Sequence, residues 1–562
     1  MSFKDTVAEI IAEKAGISAE ECASFLETPP QKEMGDLAFP CFKLARVMRK
    51  APPAIAAELK ESIVLPDFVK ECRVEGGYLN FFFSPEKRAE SVLTEINEKG
   101  ESYGSSDEGA GRTICLDYSS INIAKRCHIG HLTTTVLGNS LAKIHRFLGY
   151  KTVSINHLGD WGTQFGKMIC AFKHWGKRED VEKNGVNALI DLYVRFDREA
   201  DENLENEARA WFKKIEDDDP EATELFTWFK DITLKDVAVI YDLLGIHFDS
   251  YAGESFYKDK CGAVIEELKE KNLLEFSQGA YVVNLDKYDM PPCILLKSDG
   301  ATIYATRDLA AAFYRKKTYD FDKCLYVVAY QQDLHFKQIF KVIELMGYPW
   351  AKDLIHVPFG MVSYEGQTLS TRKGHVVYLD ELLHRACDKA LDIINEKNPD
   401  LPDKEKVARQ VGIGAVVFYD LFSGRIKDVD FWWDRALNFE GETGPYVQYA
   451  HTRCCSVLAK APALDASLAD FSALSDESST ELITLLEAFP QVVADAAQKY
   501  EPSVITRYCA ALAQSYNKFY FDNRIIGENE GVMQARLLAT KCTRDVIKTA
   551  LGLLGIDAPE KM

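Results

Sequence analysis

Thr113-Ile114-Cys115-Leu116-Asp117-Tyr118 is a short β run; a polar loop follows, then a helix from about His128 to Leu148 and, at once, a second β run from Lys151 to Ile155. Strands separated by a whole helix cannot close as a hairpin, so strand, loop, helix and strand in this order open a parallel α/β sheet. The pattern returns with the continuous apolar strand Cys324 to Ala329 and the helix Phe336 to Met346. The middle of the chain therefore reads as a doubly wound α/β domain, with helical and hairpin insertions between about Gly166 and Pro292.

At about 150 residues per domain, 562 residues hold three or four domains, which excludes a single small binding module. The first hundred residues mix types: a helix with Val7, Ile10 and Ile11 on one face, a second helix around Ala38 to Met48, and strand-like runs at Ile63 to Val69 and Tyr78 to Phe83. A helix at Pro85 to Asn97 precedes the small, polar, glycine-rich stretch Gly100 to Gly111, which reads as a linker. From about Leu437 onward only helical periodicity is found, as in Thr480 to Phe489, Pro502 to Phe519 and Thr540 to Leu554. The expected domains are 1–110 (α+β), 111–436 (parallel α/β) and 437–562 (all helical).

The 67 Lys and Arg against 86 Asp and Glu leave a net charge of −19. That balance excludes a protein that coats nucleic acid indiscriminately, yet leaves room for a local basic face. Between Phe196 and Phe226 there are 12 acidic and 4 basic residues, the pattern of a solvated helical surface. The 14 cysteines are scattered, apart from Cys454-Cys455, without C-x-x-C pairs or zinc spacing, so they read as reduced, mostly buried thiols rather than metal ligands. No apolar run approaches the roughly 18 residues of a membrane span, and the N-terminus is a charged amphipathic pattern. The expectation is a cytoplasmic protein with no membrane partner.

The loop after the first strand reads Ser119-Ser120-Ile121-Asn122-Ile123-Ala124-Lys125-Arg126-Cys127-His128-Ile129-Gly130-His131. Ligands of an open parallel sheet bind beyond the carboxyl ends of its strands, and a helix N-terminus there meets anions with unpaired N–H groups. His128 and His131 share one face of the first turn, and Gly130 lets an adenine ring or a phosphate approach the backbone. A bare H-x-G-H can be two capping histidines; the strand before it and the helix after it mark a ligand site.

This segment resembles the HIGH motif of the class I aminoacyl-tRNA synthetases. Ser120-Ile121-Asn122-Ile123-Ala124-Lys125 before it and Leu158-Gly159-Asp160-Trp161-Gly162-Thr163-Gln164-Phe165-Gly166 after it resemble the arginyl-tRNA synthetases, over essentially the whole chain. The resemblance implies a Rossmann-type catalytic domain, an N-terminal domain that touches the tRNA core and a helical anticodon-binding domain. It places His128, Gly130 and His131 on ATP.

Leu369-Ser370-Thr371-Arg372-Lys373-Gly374 reads alone as a basic, hydroxyl-bearing turn. By resemblance it is the KMSKS loop that clamps the ATP phosphates, through Leu369, Ser370, Arg372 and Lys373. It departs from that pattern, with Thr368 and Thr371 where the two lysines would stand, a departure shared by many family members. Lys125, just upstream of the histidines, then takes over the missing charge.

An arginine pocket needs a carboxylate that accepts a forked bond from the guanidinium, plus neutral acceptors. By resemblance Glu254, Tyr304 and Asp308 take the guanidinium, while Ser120, Asn122 and Gln332 take the α-amino and carboxylate groups. Without the family, Asp308 is an N-terminal helix carboxylate and Gln332 a surface amide. In the tail, Glu442 to His451 with Arg453 resembles the entry to the anticodon-binding helices. Arg507, Lys518, Arg524, Arg536, Lys541 and Arg544, interleaved with Tyr508, Tyr516, Tyr520 and Phe521, suit splayed bases beside phosphates.

The implied function is an arginine-tRNA ligase using ATP with Mg2+, without dedicated protein ligands for the metal. Its implied partners are L-arginine and tRNA(Arg), and its implied state is a monomer. The alternatives are a class I synthetase of another amino-acid specificity and a non-catalytic tRNA-binding paralogue. A cysteine-specific member would want a thiolate zinc site that the cysteine spacing does not provide.

Overall fold

The computed structural model describes residues 3–368 and 376–562. The N-terminal region begins with the helix Phe3–Ala15, whose buried face is Val7, Ala8, Ile11, Ala12 and Ala15. Strands β1 (Leu37–Pro40), β2 (Val69–Glu75) and β3 (Tyr78–Phe83) form an antiparallel sheet in the order β1-β3-β2. Phe39, Leu79, Phe81 and Phe83 pack against that helix and Leu59.

Two expectations are corrected here. Ala38 to Met48 does not form one helix, because Ala38 to Pro40 pair with β3 and only Ala45–Met48 is α-helical; Pro40 cannot donate a helical N–H. The strand expected at Ile63 to Val69 begins only at Val69, since Pro66 interrupts the earlier run.

The central sheet is all parallel. Strands β4 (Thr113–Asp117) and β5 (Lys151–Ile155) are joined through the helix Leu132–Phe147. A helical insertion follows, from Thr163–Trp175 to Pro220–Leu244, and then an antiparallel unit of β6 (Leu274–Ser277), β7 (Ala280–Val283) and β8 (Cys293–Lys297). The chain re-enters the sheet as β9 (Lys323–Ala329) and β10 (Leu354–Phe359), giving the order β10-β9-β4-β5. Three short strands, β11 (Val362–Tyr364), β12 (Gln367–Thr368) and β13 (Val429–Phe431), make a small sheet beyond it.

The tail is helical throughout: Gly444–Lys460, Glu477–Lys499, Ser503–Asp522 and Glu530–Leu553. Compactness does not follow chain order. Met1–Tyr103 clusters with Val457–Ala488 and Gln514–Thr543, whereas Gly104–Ser456 clusters with Phe489–Ala513 and Arg544–Met562. In the first unit Arg88 bridges Asp36 and Glu487 at 3.1 and 2.6 Å. In the second, Ser140 Oγ donates to Leu553 O at 2.9 Å, and Gln448 Nε2 donates to Asp557 O at 2.8 Å.

The stretch expected as a linker is built into the fold, since Tyr103 is buried and its hydroxyl donates to Leu486 O at 3.1 Å. Tyr508 and Tyr516 are likewise core rings and offer no surface for stacked bases, whereas Tyr520 and Phe521 are exposed. No helix among the described residues is long and apolar enough to cross a membrane. All 14 cysteines are free thiols, and 12 of them are buried.

Candidate active site

The loop leaving β4 is held in an unusual conformation. Ser119, Ser120 and Ala124 have φ of 68°, 44° and 60°, a left-handed region that costs non-glycine residues free energy unless the surroundings enforce it. The enforcement is visible. Ser119 N donates to Thr134 Oγ1 at 3.1 Å, its hydroxyl meets Thr135 Oγ1 and Tyr241 OH at 2.9 and 2.8 Å, and Ala124 N donates to Thr233 Oγ1 at 3.0 Å. Ile123 N and Gly159 N exchange backbone bonds across to Gly159 O and Ile121 O. Gly159 is required there, because a Cβ would stand 2.3 Å from Asn122 Oδ1. The loop thus presents Asn122 and Lys125 to solvent and keeps Ser120 half-buried, its hydroxyl donating to Asp117 Oδ1 at 2.7 Å.

The two histidines then interlock. His128 N donates to His131 Nδ1 at 3.2 Å, Gly130 N donates to His128 Nδ1 at 3.1 Å, and the rings lie 4.2 Å apart. Burial, helped by the nearby Lys125 charge, lowers both pKa values, that of His131 to about 4. At neutral pH the pair is uncharged and can engage a neighbour only through hydrogen bonds. The same turn is pinned to the segment after residue 375: Ile129 N donates to Val377 O, and Leu379 N donates to Cys127 O. Arg126 stacks 3.7 Å over Tyr378 and pairs with Asp380 at 2.7 Å. Leu369, Ser370, Arg372 and Lys373 lie outside the described residues.

The carboxylates expected to hold a guanidinium lie at and near the start of the helix Tyr304–Tyr319. Each has one oxygen taken by a resident group. Asp308 Oδ2 accepts from His335 Nε2 at 2.7 Å, and Glu254 Oε2 accepts from Arg307 Nε at 2.6 Å. Burial works against ionisation of Asp308, but His335 and His157 outweigh it and hold the carboxyl below the usual carboxylate range. Burial pushes Glu254 the other way, only partly offset by Arg307. Tyr304 is exposed, 4.9 Å ring to ring from His335, and Gln332 is exposed in the turn after β9.

Several residues that motif reasoning missed support this pocket. Arg315, fully buried, pairs with Asp117 at 2.7 Å and donates to His157 Nδ1 at 3.2 Å. The other ring nitrogen of His157, Nε2, lies 3.7 Å from Asp308 Oδ1 with no hydrogen-bond partner. Asp160, wholly buried, accepts from Ser255 N, Ser255 Oγ and Lys230 Nζ at 2.8, 2.7 and 2.6 Å, which fixes the turn carrying Glu254. Asp117 and His157 could have been found from the rule that ligands gather at strand carboxyl ends, because one ends β4 and the other follows β5. Arg315 had no such signal, and Asp160 stood in the segment Leu158 to Gly166 with nothing in the chain to name its partners.

Three family profiles match the chain: "Arginyl tRNA synthetase N terminal domain" over 1–83, "tRNA synthetases class I (R), catalytic domain" over 92–433 and "DALR anticodon binding domain" over 447–562. The arginine–tRNA ligases of Alkaliphilus metalliredigens and Clostridioides difficile are 52% and 53% identical, each aligned over the full length of both chains. The arginyl-tRNA synthetase of Thermus thermophilus superposes over 100% of both chains with a TM-score of 0.81 at 27% identity. A methionyl-tRNA synthetase of Mycobacterium tuberculosis shares the fold over 80% of this chain and 92% of its own, with a TM-score of 0.52 at 10% identity. With its full domain set matched and half its residues shared end to end, the chain belongs to the arginyl-tRNA synthetases, the arginine–tRNA ligases of class I.

Proposed function

We propose that the residues assembled at the carboxyl ends of β4, β5 and β9 carry out this ligase reaction in two steps. The arginine carboxylate attacks the α-phosphate of MgATP, giving arginyl-adenylate and pyrophosphate. The 2′-hydroxyl of the terminal adenosine of tRNA(Arg) then attacks the adenylate carbonyl, and AMP leaves. Asp308 and Glu254 offer their second oxygens to the guanidinium, with Tyr304 beside them. Ser120, Asn122 and Gln332 orient the α-amino and carboxylate ends. His128, Gly130 and His131 seat the nucleotide, and Lys125 with Leu369, Ser370, Arg372 and Lys373 clamps its phosphates. Mg2+ arrives with ATP and takes no dedicated protein ligands. Residues 111–436 do the chemistry, 1–110 meet the tRNA core and 437–562 read the anticodon. The enzyme works as a cytoplasmic monomer.

The half-occupied carboxylate pair carries this reading. Two acids side by side, each with one of its two oxygens hydrogen-bonded to a resident group, match a forked cation, and a desolvated fork discriminates strongly against lysine without an editing site. The test is aminoacylation of total tRNA with each of the twenty amino acids in turn. Charging with arginine alone is expected. Charging with another amino acid, or tRNA binding with no charging at all, would replace this reading with one of the two alternatives.

A further inference from the structure

The helix Thr163–Trp175 carries Cys170 and His174 one turn apart on one face, and the neighbouring helix Glu202–Glu216 brings Glu207 to them. The Cys170 sulfur, a His174 ring nitrogen and a Glu207 carboxylate oxygen all lie within 4.8 Å of one another. The helices approach this closely because Gly166 has no side chain; a Cβ there would stand 2.0 Å from Ala208 O. Glu207 Oε2 lies 2.8 Å from His174 Nε2, while Oε1 accepts from Trp211 Nε1 at 3.4 Å.

Thiolate, imidazole and carboxylate together are a donor set that suits Zn2+ and ill suits Mg2+ or Ca2+, and three protein ligands leave a fourth position for water. The surroundings favour a cation, since 12 acidic residues face 4 basic ones between Phe196 and Phe226. His174 is exposed, Glu207 half-buried and Cys170 buried, so the trio is open to solvent on one side. We propose that Cys170, His174 and Glu207 form a Zn2+ site that clasps these two helices of the insertion. On binding, the Cys170 S–H bond breaks, its proton goes to solvent and the sulfur lone pair bonds zinc. His174 gives its Nε2 lone pair and keeps its hydrogen on Nδ1. Glu207 binds through Oε2 and stays oriented by the Trp211 bond to Oε1. The sequence missed this site because only two of the ligands are close in the chain; the third comes from the next packed helix but two.

The full-length protein, stripped with a chelator, is titrated with Co2+ and then Zn2+ in competition with a chromophoric chelator. One Co2+ per chain should bind with a thiolate-to-cobalt charge-transfer band that Zn2+ abolishes. Cys170→Ser, a near-isosteric change, should remove the band, and His174→Ala should weaken Zn2+ binding by more than about tenfold. Cys387→Ser, at a half-buried thiol elsewhere, should leave the band intact. Excess Zn2+ should raise the Tm of the unsubstituted chain and not that of the Cys170→Ser variant. Absence of the band, or equal Zn2+ affinity in the Cys170→Ser variant, would overturn the site and reduce the trio to an ion pair beside a thiol.

Discussion

Two side chains carry the sharpest consequences at the scale of single residues. The α-phosphate gains negative charge as pyrophosphate departs, and a preorganised cation aimed at it is worth about 3 to 4 kcal/mol, or two to three orders of magnitude in rate. Thr371 cannot supply that charge. Lys125 is exposed in the loop before the histidines and close enough to lower both their pKa values. Lys125→Ala is therefore expected to lower kcat by about two to three orders of magnitude while moving the ATP KM far less. Steady-state aminoacylation checks this, with Lys373→Ala in parallel: a dead Lys373→Ala beside a Lys125→Ala within about threefold of normal assigns the clamp downstream. In the proposed pocket at the other end of the substrate, Asp308 has one oxygen bonded to His335, and His335 and His157 hold its carboxyl below the usual carboxylate range. Its loss removes a charge-assisted fork worth about 2 to 4 kcal/mol. In Asp308→Ala the arginine KM should rise more than about tenfold with the ATP KM nearly unchanged, and Asp308→Asn should fall between the two. An unmoved arginine KM would take Asp308 out of the pocket.

At the scale of elements, the helix Leu132–Phe147 is tied at its first turn to the helix Lys404–Phe422. Thr133 Oγ1 donates to Asp420 Oδ1 at 2.8 Å, while Asp420 Oδ2 is buried without a hydrogen-bond partner. Burial pushes the Asp420 carboxyl from 3.8 up to about 7. In the unfolded chain this group ionises near 4; in the folded one it stays protonated until about 7. Between those values the folded state binds the extra proton, so the Asp420 contribution to stability falls as pH rises, by up to about 1.4 kcal/mol per unit, and levels off above 7. Asp420→Asn keeps an acceptor for Thr133 and removes the titration. Its Tm relative to the unsubstituted chain should climb between pH 4.5 and 7.5 and then stay flat. Calorimetric scans across that range decide it, and a pH-independent difference would mean that Asp420 is already ionised. His131 on the same turn works in the opposite sense: its unfolded form protonates below about 6.5 and its folded form only near 4, so its contribution is complete above 6.5 and is lost on acidification. The comparison of the two chains cancels it.

For the whole molecule, the helical tail is not a detachable appendage. Phe489–Ala513 and Arg544–Met562 cluster with the central domain. Their bonds to it include Ser140 Oγ to Leu553 O, Thr506 Oγ1 to Leu421 O, and Gln410 Nε2 to Asp557 Oδ2 at 3.3 Å. A chain ended at Leu437 loses these partners and uncovers the helix Lys404–Phe422 at Gly414 and Phe418, which lie against Ile556 and Gly444. It should fail to give a cooperative thermal transition, and so lose ATP-dependent activation along with tRNA charging. A sharp melt with arginine activation intact in that truncated chain would show that the central domain stands alone.

The local order of β runs, loops and helices was legible because apolar periodicity is a property of neighbouring residues. It disclosed the parallel sheet, the helical tail and the loop with H-x-G-H at a strand's carboxyl end. Short-range signals failed where pairing decided the outcome: β1 extends beside β3 instead of continuing the helix after it, and Tyr103, inside a glycine-rich stretch, is a core residue. The motif residues of the site could be named from the chain. What surrounds them could not, because Arg315, His157, Asp160 and Arg307 act on Asp117, Asp308, Ser255 and Glu254. Charge and hydrogen bonding between residues far apart in sequence depend on which helix packs on which strand. The chain by itself thus determined the class of fold and the motif residues to look for, while tertiary packing decided which carboxylate oxygens are hydrogen-bonded, how far burial lowers the pKa values of His128 and His131, and which tail helices complete the central domain.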